Sequence, residues 1–410
     1  MQGELRGLSP RRIWGLVAVT AVLAVTFGDL LGPFDFLTFF HAGRQVLEGE
    51  SPYPSVGSAV FRSGHGFVYP LFVAWLFAPL ALFPQVGAEI VYGCASVVAI
   101  VVSCRMLGRR DFAAPALVMV CSTTIIGLQM GTVNAFLLLG LACAWYWRDS
   151  HPVLSGAVLG LAAGAKLFLL PVLIWPFLRR RWSAGGSALA TVLVLLGGGG
   201  LLGSESPVSY LHLLSKLAAN EVVSSWSLSS LFQSVGLSRT GSSAAAVAVV
   251  VAGLAVLLRR RRVLADERVL GAVVVLSLLM SPIVWSSYLL LLVVPLLLVD
   301  PGDDVLAAAA VASWVLVTPD AASPFRVVVG VALAVTVAAL VARRHLGALT
   351  RLVRNRPRVR ARWLLLAVLM AAVIVALPSP VRSPIPALAA MAVVGFRCLR
   401  TVRGRQLQPG

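Results

Sequence analysis

The chain has 410 residues, 59% of them hydrophobic and only 12% charged, with 34 Lys and Arg against 16 Asp and Glu for a formal net charge of +18. A soluble domain carries about a quarter charged residues, so a soluble enzyme or binding module is excluded. Nucleic-acid binding is also disfavoured: the arginines stand in short clusters between apolar runs, at Arg109-Arg110, 179–181, 259–262 and 343–362, which is the positive-inside pattern of a polytopic membrane protein.

Arg6, Arg11 and Arg12 precede the apolar run 13–31. No small-residue cleavage site follows it, so it is expected to remain as a first span with the N-terminus in the cytoplasm. A polar stretch comes next, at 32–66, followed by Tyr69-Pro70 and a short apolar segment ending at Pro84. That segment is too short to cross comfortably. If it crossed, Arg105, Arg109 and Arg110 would fall outside, against the charge rule. It is therefore expected as a juxtamembrane helix at 67–83, with the second true span at 85–107.

Further spans are expected near 112–128, 133–147, 153–165, 167–178, 184–202, 240–258, 269–284, 287–299, 305–318, 327–342, 363–378 and 384–396. That makes about 13 or 14 spans. The pair around Lys166 is short, and Pro171 and Pro176 imply broken or tilted helices. The last span reads as weak, interrupted by prolines. All Lys and Arg then face the cytoplasm except Arg44, Arg62, Lys166, Lys216, Arg239, Arg326 and Arg382. The expected architecture is one all-α membrane domain over 1–410. Two extracytoplasmic loops, 32–84 and 203–239, are large enough to build a site. Function is expected to face outward.

Candidate chemistry is sparse. Asp35 stands just past the first span beside Phe34, Phe36, Phe39 and Phe40. A carboxylate there is either a solvated loop acid or a base whose pKa is raised by apolar surroundings. Glu48 and Glu50 flank Gly49 at an expected turn and read as solvated. Lys166 interrupts an apolar run, where an ammonium needs the interface or an anion; it is either a snorkelling turn residue or a contact to a lipid phosphate. Arg44 is a second anion candidate through its planar fork. In the long loop, Asn220, Trp226 and Ser227 stand together. The tryptophan either stacks on a sugar or anchors the interface. The stretch from Met280 to Trp285 reads as a proline break plus an anchor. The glycine run 197–200 lacks a following Gly-Lys-Ser/Thr, so it is no phosphate loop and is expected to serve close helix packing. The five cysteines, Cys94, Cys104, Cys121, Cys143 and Cys398, are odd in number with no CxxC spacing, and read as buried inert thiols. No DxD, HExxH or nucleophile elbow occurs, so no metal or other cofactor is expected.

Several of these pieces, in order, resemble glycosyltransferase family 87, a GT-C type group that includes polyprenol-phosphate-mannose-dependent α-mannosyltransferases. Asp35, Gly49 and Tyr53 fit its first loop. Tyr69-Pro70, Pro79-Leu80 and Pro84 fit the helix that follows. The stretch from Gly131 to Asn134, the stretch from Gly160 to Lys166 with Pro171, Asn220 with Ser227, and Ser281-Pro282 with Trp285 fit later patterns. The resemblance covers roughly 32–298. It implies a GT-C fold in the cell membrane and an inverting transfer, outside the cytoplasm, from a polyprenyl-phosphate sugar to an envelope glycolipid or glycan. It implies that Asp35 is the base. Lys166 or Arg44 is then expected to bind the donor phosphate, and His41, Tyr69, Asn134, Asn220, Trp226, Trp285 and Tyr288 are expected to line the substrate site. Two departures bear on specificity: Thr132 replaces the usual Gln, and Ser286-Ser287-Tyr288 stands where mannosyltransferases of the group often carry histidines.

The chemistry agrees with the resemblance. A lipid-phosphate sugar is already activated, so the enzyme needs a base, a cation and a lipid groove. The competing class is a lipid or glycan transporter or flippase. That class should show internal repeats and charges at mid-membrane. No convincing repeat occurs here, and the charges lie at span ends.

Overall fold

A computed structural model describes residues 33–55, 57–58, 61, 66–202, 210, 212–216, 225–299, 302–316, 324–341 and 384–400. Among these every regular element is helical. The expected spans 13–31 and 363–378, together with Asn220, Arg62 and Arg382, lie outside the described residues. The elements in order are α1 (Phe34–Leu47), α2 (Leu71–Ala81), α3 (Gln85–Met106), α4 (Ala113–Met119), α5 (Ser122–Met130), α6 (Asn134–Trp147) and α7 (Pro152–Ala165). A 3-10 segment (Leu167–Leu173) runs into α8 (Ile174–Leu178), then come α9 (Trp182–Leu202), α10 (Leu228–Ser234), α11 (Arg239–Arg260) and α12 (Asp266–Met280). A second 3-10 segment (Ser286–Leu292) runs into α13 (Val293–Val299), followed by α14 (Asp303–Leu316), α15 (Pro324–Val341) and α16 (Pro384–Leu399).

Much of the stretch expected as polar loop is helix. In α1 the buried residues are Phe36, Phe39, Phe40, Ala42, Gly43 and Val46, one apolar face at helical spacing. Gly43 lets α1 cross α2 closely, since a Cβ there would stand 2.8 Å from the Phe77 carbonyl carbon. The helix stops at Gly49, whose φ of 77° is left-handed, with Glu48 and Glu50 exposed on either side.

Most of the described apolar helices are shorter than a full span. Among the described residues, α3 and α11 are long and apolar enough to cross a membrane, and α4 with α5 makes a third if the pair, bent by 67°, counts as one. Nine apolar helical stretches are shorter, at 10–17 residues; a 14-residue helix such as α6 reaches only roughly 21 Å of a core about 30 Å thick. The breaks are satisfied from the side. Where α4 ends, the Val120 carbonyl accepts from Trp314 Nε1 at 2.8 Å, and the Ser122 N–H donates to Ser313 Oγ at 2.9 Å. Irregular backbone at membrane depth is tolerated when protein groups take up its hydrogen bonds.

Close helix packing falls elsewhere than expected. Gly197 and Gly198 meet nothing within 4 Å. The packing glycines are Gly156, Gly160 and Gly164 on α7, a stripe at every fourth residue. A Cβ on Gly160 would stand 2.8 Å from Thr191 Cβ, and one on Gly164 3.2 Å from Leu195 Cδ1. Contact at this range needs small residues on one face. The prolines of the last helix begin it rather than interrupt it: Pro384 and Pro386 fall in the first turn of α16, where amide hydrogens have no helical partner to lose. Four of the cysteines are buried, but Cys94 is exposed on α3.

The bundle has two distinct ends. At one, Asp266 in the first turn of α12 accepts from Trp175 Nε1 at 2.8 Å, Arg179 Nε at 3.1 Å and Arg181 Nη1 at 2.7 Å. Arg148 lies in the same cluster, its Nε 3.5 Å from Asp266. The opposite end of α7 carries Lys166, and the chain leaving the far end of α12 reaches Tyr288.

Candidate active site

Two 3-10 segments meet through one ring pair at the centre of the site. Each follows a residue in extended backbone, Lys166 at φ −142°, ψ 101° and Trp285 at φ −98°, ψ 157°. Pro171 within the first has no N–H to give, which disfavours regular α-winding there. Phe168 of the first segment stacks on Tyr288 of the second, ring centres 4.9 Å apart at 13°.

Lys166 lies in the turn joining α7 to its 3-10 segment, outside both, and is 8% exposed. Its Nζ is 3.4 Å from Asn134 Oδ1, 3.8 Å from the centre of the Tyr288 ring and 5.4 Å from that of Tyr69. The ring faces attract the cation through their quadrupoles. Burial brings the Lys166 pKa down to about 7, and the Asp35 carboxylate works in the opposite sense.

Asp35 sits half-buried in the first turn of α1, where the helix dipole favours negative charge. It acts electrostatically on Lys166, Tyr69, Tyr92 and Tyr288. Burial holds the Tyr69 phenol well above its usual value, and Asp35 adds to this. The start of α1 is located by Gly131. Its φ of 68° ends α5. The Thr132 N–H returns to the Gly127 carbonyl at 2.9 Å, and that of Gly131 to Leu128 at 3.2 Å, a Schellman closure. A Cβ on Gly131 would run into Phe36 Cβ, so the α5–α6 turn lies directly against the residue after Asp35.

Asn134 opens α6 from this turn and is fully buried. Its Nδ2 donates to Ser287 Oγ at 3.0 Å. Thr132 and Ser287 are buried too, at 4% and 2% exposure, and both lie against Gly127, where a Cβ would meet Thr132 Oγ1 at 3.2 Å and Ser287 Cβ at 3.5 Å. The two departures from the family pattern therefore share one spot beneath Lys166.

Of the residues singled out in the sequence, Asp35, Tyr69, Asn134, Lys166 and Tyr288 come together. Arg44 and His41 do not join them. Arg44 lies nine residues beyond Asp35 on α1, about two and a half turns, hence on the opposite face. There its Nε pairs with Glu48 at 2.9 Å, both side chains exposed. His41 is exposed beside Phe40. Trp226 and Trp285 belong to a docked loop: the Trp226 N–H donates to the Val284 carbonyl at 2.8 Å, Ser227 Oγ caps α10 by accepting from the Ser230 N–H at 3.1 Å, and Trp285 leads into the second 3-10 segment. Asn220 lies outside the described residues.

Sequence reasoning passed over Tyr92 and weighed Ser287 only as a departure. Tyr92 Oη donates to the Thr132 carbonyl at 3.0 Å, and its ring packs on Phe36 at 5.4 Å. A lone phenol inside an expected span was the available signal, since a buried Tyr hydroxyl needs a partner. Tyr53 was weighed only as part of the resemblance, and Tyr210 went unweighted. Their hydroxyls donate to the Tyr69 and Val68 carbonyls, each at 3.1 Å, and fix the strand of chain that carries Tyr69.

Comparison with known proteins gives one match. The family model described as glycosyltransferase family 87 fits residues 67–282, a stretch that includes Tyr69, Asn134 and Lys166. Neither the curated proteins nor the solved structures contain a match.

Proposed function

Because the chain belongs to glycosyltransferase family 87, we propose that it moves a sugar, mannose in the first instance, from a polyprenyl-phosphate donor to a glycolipid or glycan acceptor of the cell envelope. The acceptor oxygen attacks the anomeric carbon as the bond from that carbon to the phosphate oxygen breaks. The leaving phosphate keeps the electron pair, and the acceptor proton passes to Asp35. Attack opposite the leaving group inverts the anomeric centre. Lys166 meets the charge that develops on the phosphate, while Tyr69 and Tyr288 wall the sugar. Extracytoplasmic placement is supported by the arginine-rich cluster around Asp266 at the other end of the bundle, since arginine collects on the cytoplasmic side.

The observation that carries this reading is one buried ammonium, Lys166, against the Tyr69 and Tyr288 rings, within electrostatic reach of the half-buried Asp35 carboxylate. Base and cation are what a lipid-phosphate donor requires. The test is transfer in proteoliposomes from polyprenyl-phosphate mannose, with polyprenyl-phosphate glucose and arabinose alongside, to extracted envelope lipids. A product with inverted anomeric configuration is expected. No transfer from any lipid-phosphate sugar, with transfer from a nucleotide sugar instead, would overturn the donor class.

A further inference from the structure

Asn134 holds Lys166 with an unusual choice of group. Both ends of its carboxamide are occupied, by Lys166 Nζ at Oδ1 and by Ser287 Oγ at Nδ2. The direction of each bond is forced. An ammonium only donates, so it must face the amide oxygen; the NH2 then faces Ser287, whose hydroxyl accepts. A neutral acceptor aims a lysine without cancelling its charge. A carboxylate at the same place would close an ion pair and compete with any incoming phosphate. The amide is fully buried, so it makes no contact with substrate unless it first gives up one of these bonds.

We infer that Asn134 and Ser287 are positioning residues, a relay in which Ser287 locks the Asn134 amide so that its oxygen holds the Lys166 ammonium between Tyr69 and Tyr288, aimed at the donor phosphate. The inference rests on the reading of Lys166 as the phosphate cation. Asn134 is thereby moved from the substrate-contacting set to the layer behind it. The charged and titratable groups facing Lys166 are Asp35 from α1, Tyr69 ahead of α2 and Tyr288 from the second 3-10 segment. None of these duplicates the neutral hold of Asn134. Without Ser287 the amide can turn and present its NH2 to the ammonium, donor against donor.

The test needs no turnover. Binding of a polyprenyl phosphate and of the matching prenol, which lacks the phosphate, is measured on the full chain in detergent by ligand-induced thermal stabilisation. Wild type is expected to prefer the phosphate. Ser287→Ala should weaken phosphate binding about 2- to 12-fold, the range of one neutral hydrogen bond, and leave prenol binding unchanged. Asn134→Asp, close in shape, should weaken phosphate binding at least as much and move the alkaline limit of that binding to higher pH. Ser277→Ala is the control, a fully buried hydroxyl that bonds only the Val273 carbonyl of its own helix at 2.9 Å; neither arm should move. Loss in both arms for Ser287→Ala would reduce the relay to packing and overturn the inference. So would wild-type binding in both Ser287→Ala and Asn134→Asp while Lys166→Met loses the phosphate preference, a result that leaves Lys166 in its role. A Lys166→Met variant that keeps the phosphate preference sinks the reading of Lys166, and the relay with it.

Discussion

The ammonium of Lys166 stands 3.8 Å from the centre of the Tyr288 ring, and that ring is itself stacked on Phe168 two residues along from the lysine. The cation thus rests against a face that the segment following it holds in place. Such a contact is worth about 0.5 to 2 kcal/mol, more as the site dries. Tyr288→Phe should keep the ring and change donor KM by less than about threefold. Tyr288→Leu removes the face and should raise donor KM by about 3- to 30-fold with a smaller effect on kcat. Equal kinetics for the Phe and Leu variants would show that the ring face does nothing for the donor.

The pH dependence follows from the same lysine. Burial brings Lys166 to about 7 with Asp35 opposing. The ammonium is charged below that value and neutral above it, so its hold on a phosphate is present on the acid side and lost as pH rises through the pKa. Donor kcat/KM in the free enzyme should therefore fall on the alkaline side. Lys166→Arg carries a guanidinium that stays charged to beyond about pH 12, so the variant should lose that alkaline limb even if its peak rate is lower. A wild-type profile that is flat from about pH 6 to about pH 9 would remove Lys166 as the group being titrated.

Parts of this site were legible in the sequence, and the rest was hidden for identifiable reasons. Lys166 was visible because a lone ammonium in an apolar run always needs an explanation. Arg44 looked equivalent to Lys166 as an anion contact as long as its stretch was taken for a loop. The buried set Phe36, Phe39, Phe40 and Val46 carries helical spacing that was open to reading, and helix phase alone then sends Arg44 to the far face. The 3-10 winding at Lys166 and Trp285 was not legible, because it depends on which neighbours take up the freed backbone groups. Nor was the meeting of Asn134 with Ser287, 153 residues apart in sequence; neither local propensity nor charge marks such a pair. The glycines misled for a related reason. A run of four at 197–200 draws the eye, whereas the stripe that packs, on α7, is spaced by the helical turn.

Gly131 offers a test of how the site is assembled. Its φ of 68° is left-handed, and a side chain would also collide with Phe36. Gly236 shares the backbone conformation, at φ 97°, but meets nothing within 4 Å. Gly236→Ala should cost about 1 to 2 kcal/mol from conformation alone. Gly131→Ala should cost roughly 1 to 3 kcal/mol more through overpacking, and it should depress activity beyond its effect on stability, because it pushes on the first turn of α1. Thermal unfolding in detergent and turnover at a permissive temperature separate the two. Identical losses for both variants would mean that the α5–α6 turn does not set the position of Asp35.

The decisive variant is Asp35→Asn. The substitution keeps the shape and removes basicity. Loss of a general base typically costs about 100- to 10,000-fold in rate, so kcat should collapse while the protein folds and binds polyprenyl phosphate. Because the Asp35 carboxylate acts on Lys166 in the sense that favours the charged ammonium, its removal should also let the lysine lose its proton at lower pH. Phosphate binding in Asp35→Asn should then weaken at a lower pH than in wild type, a second readout that a merely structural acid would not give. Glu48 and Glu50 are the rival carboxylates, and both are exposed at the Gly49 turn, with Glu48 engaged by Arg44. Glu48→Gln and Glu50→Gln should each stay within about threefold of wild-type turnover, as expected for surface substitutions away from the reacting atoms. Near wild-type turnover in Asp35→Asn together with a dead Glu48→Gln or Glu50→Gln would move the base from the first turn of α1 to the Gly49 turn beyond its end, and the site would have to be rebuilt around Arg44.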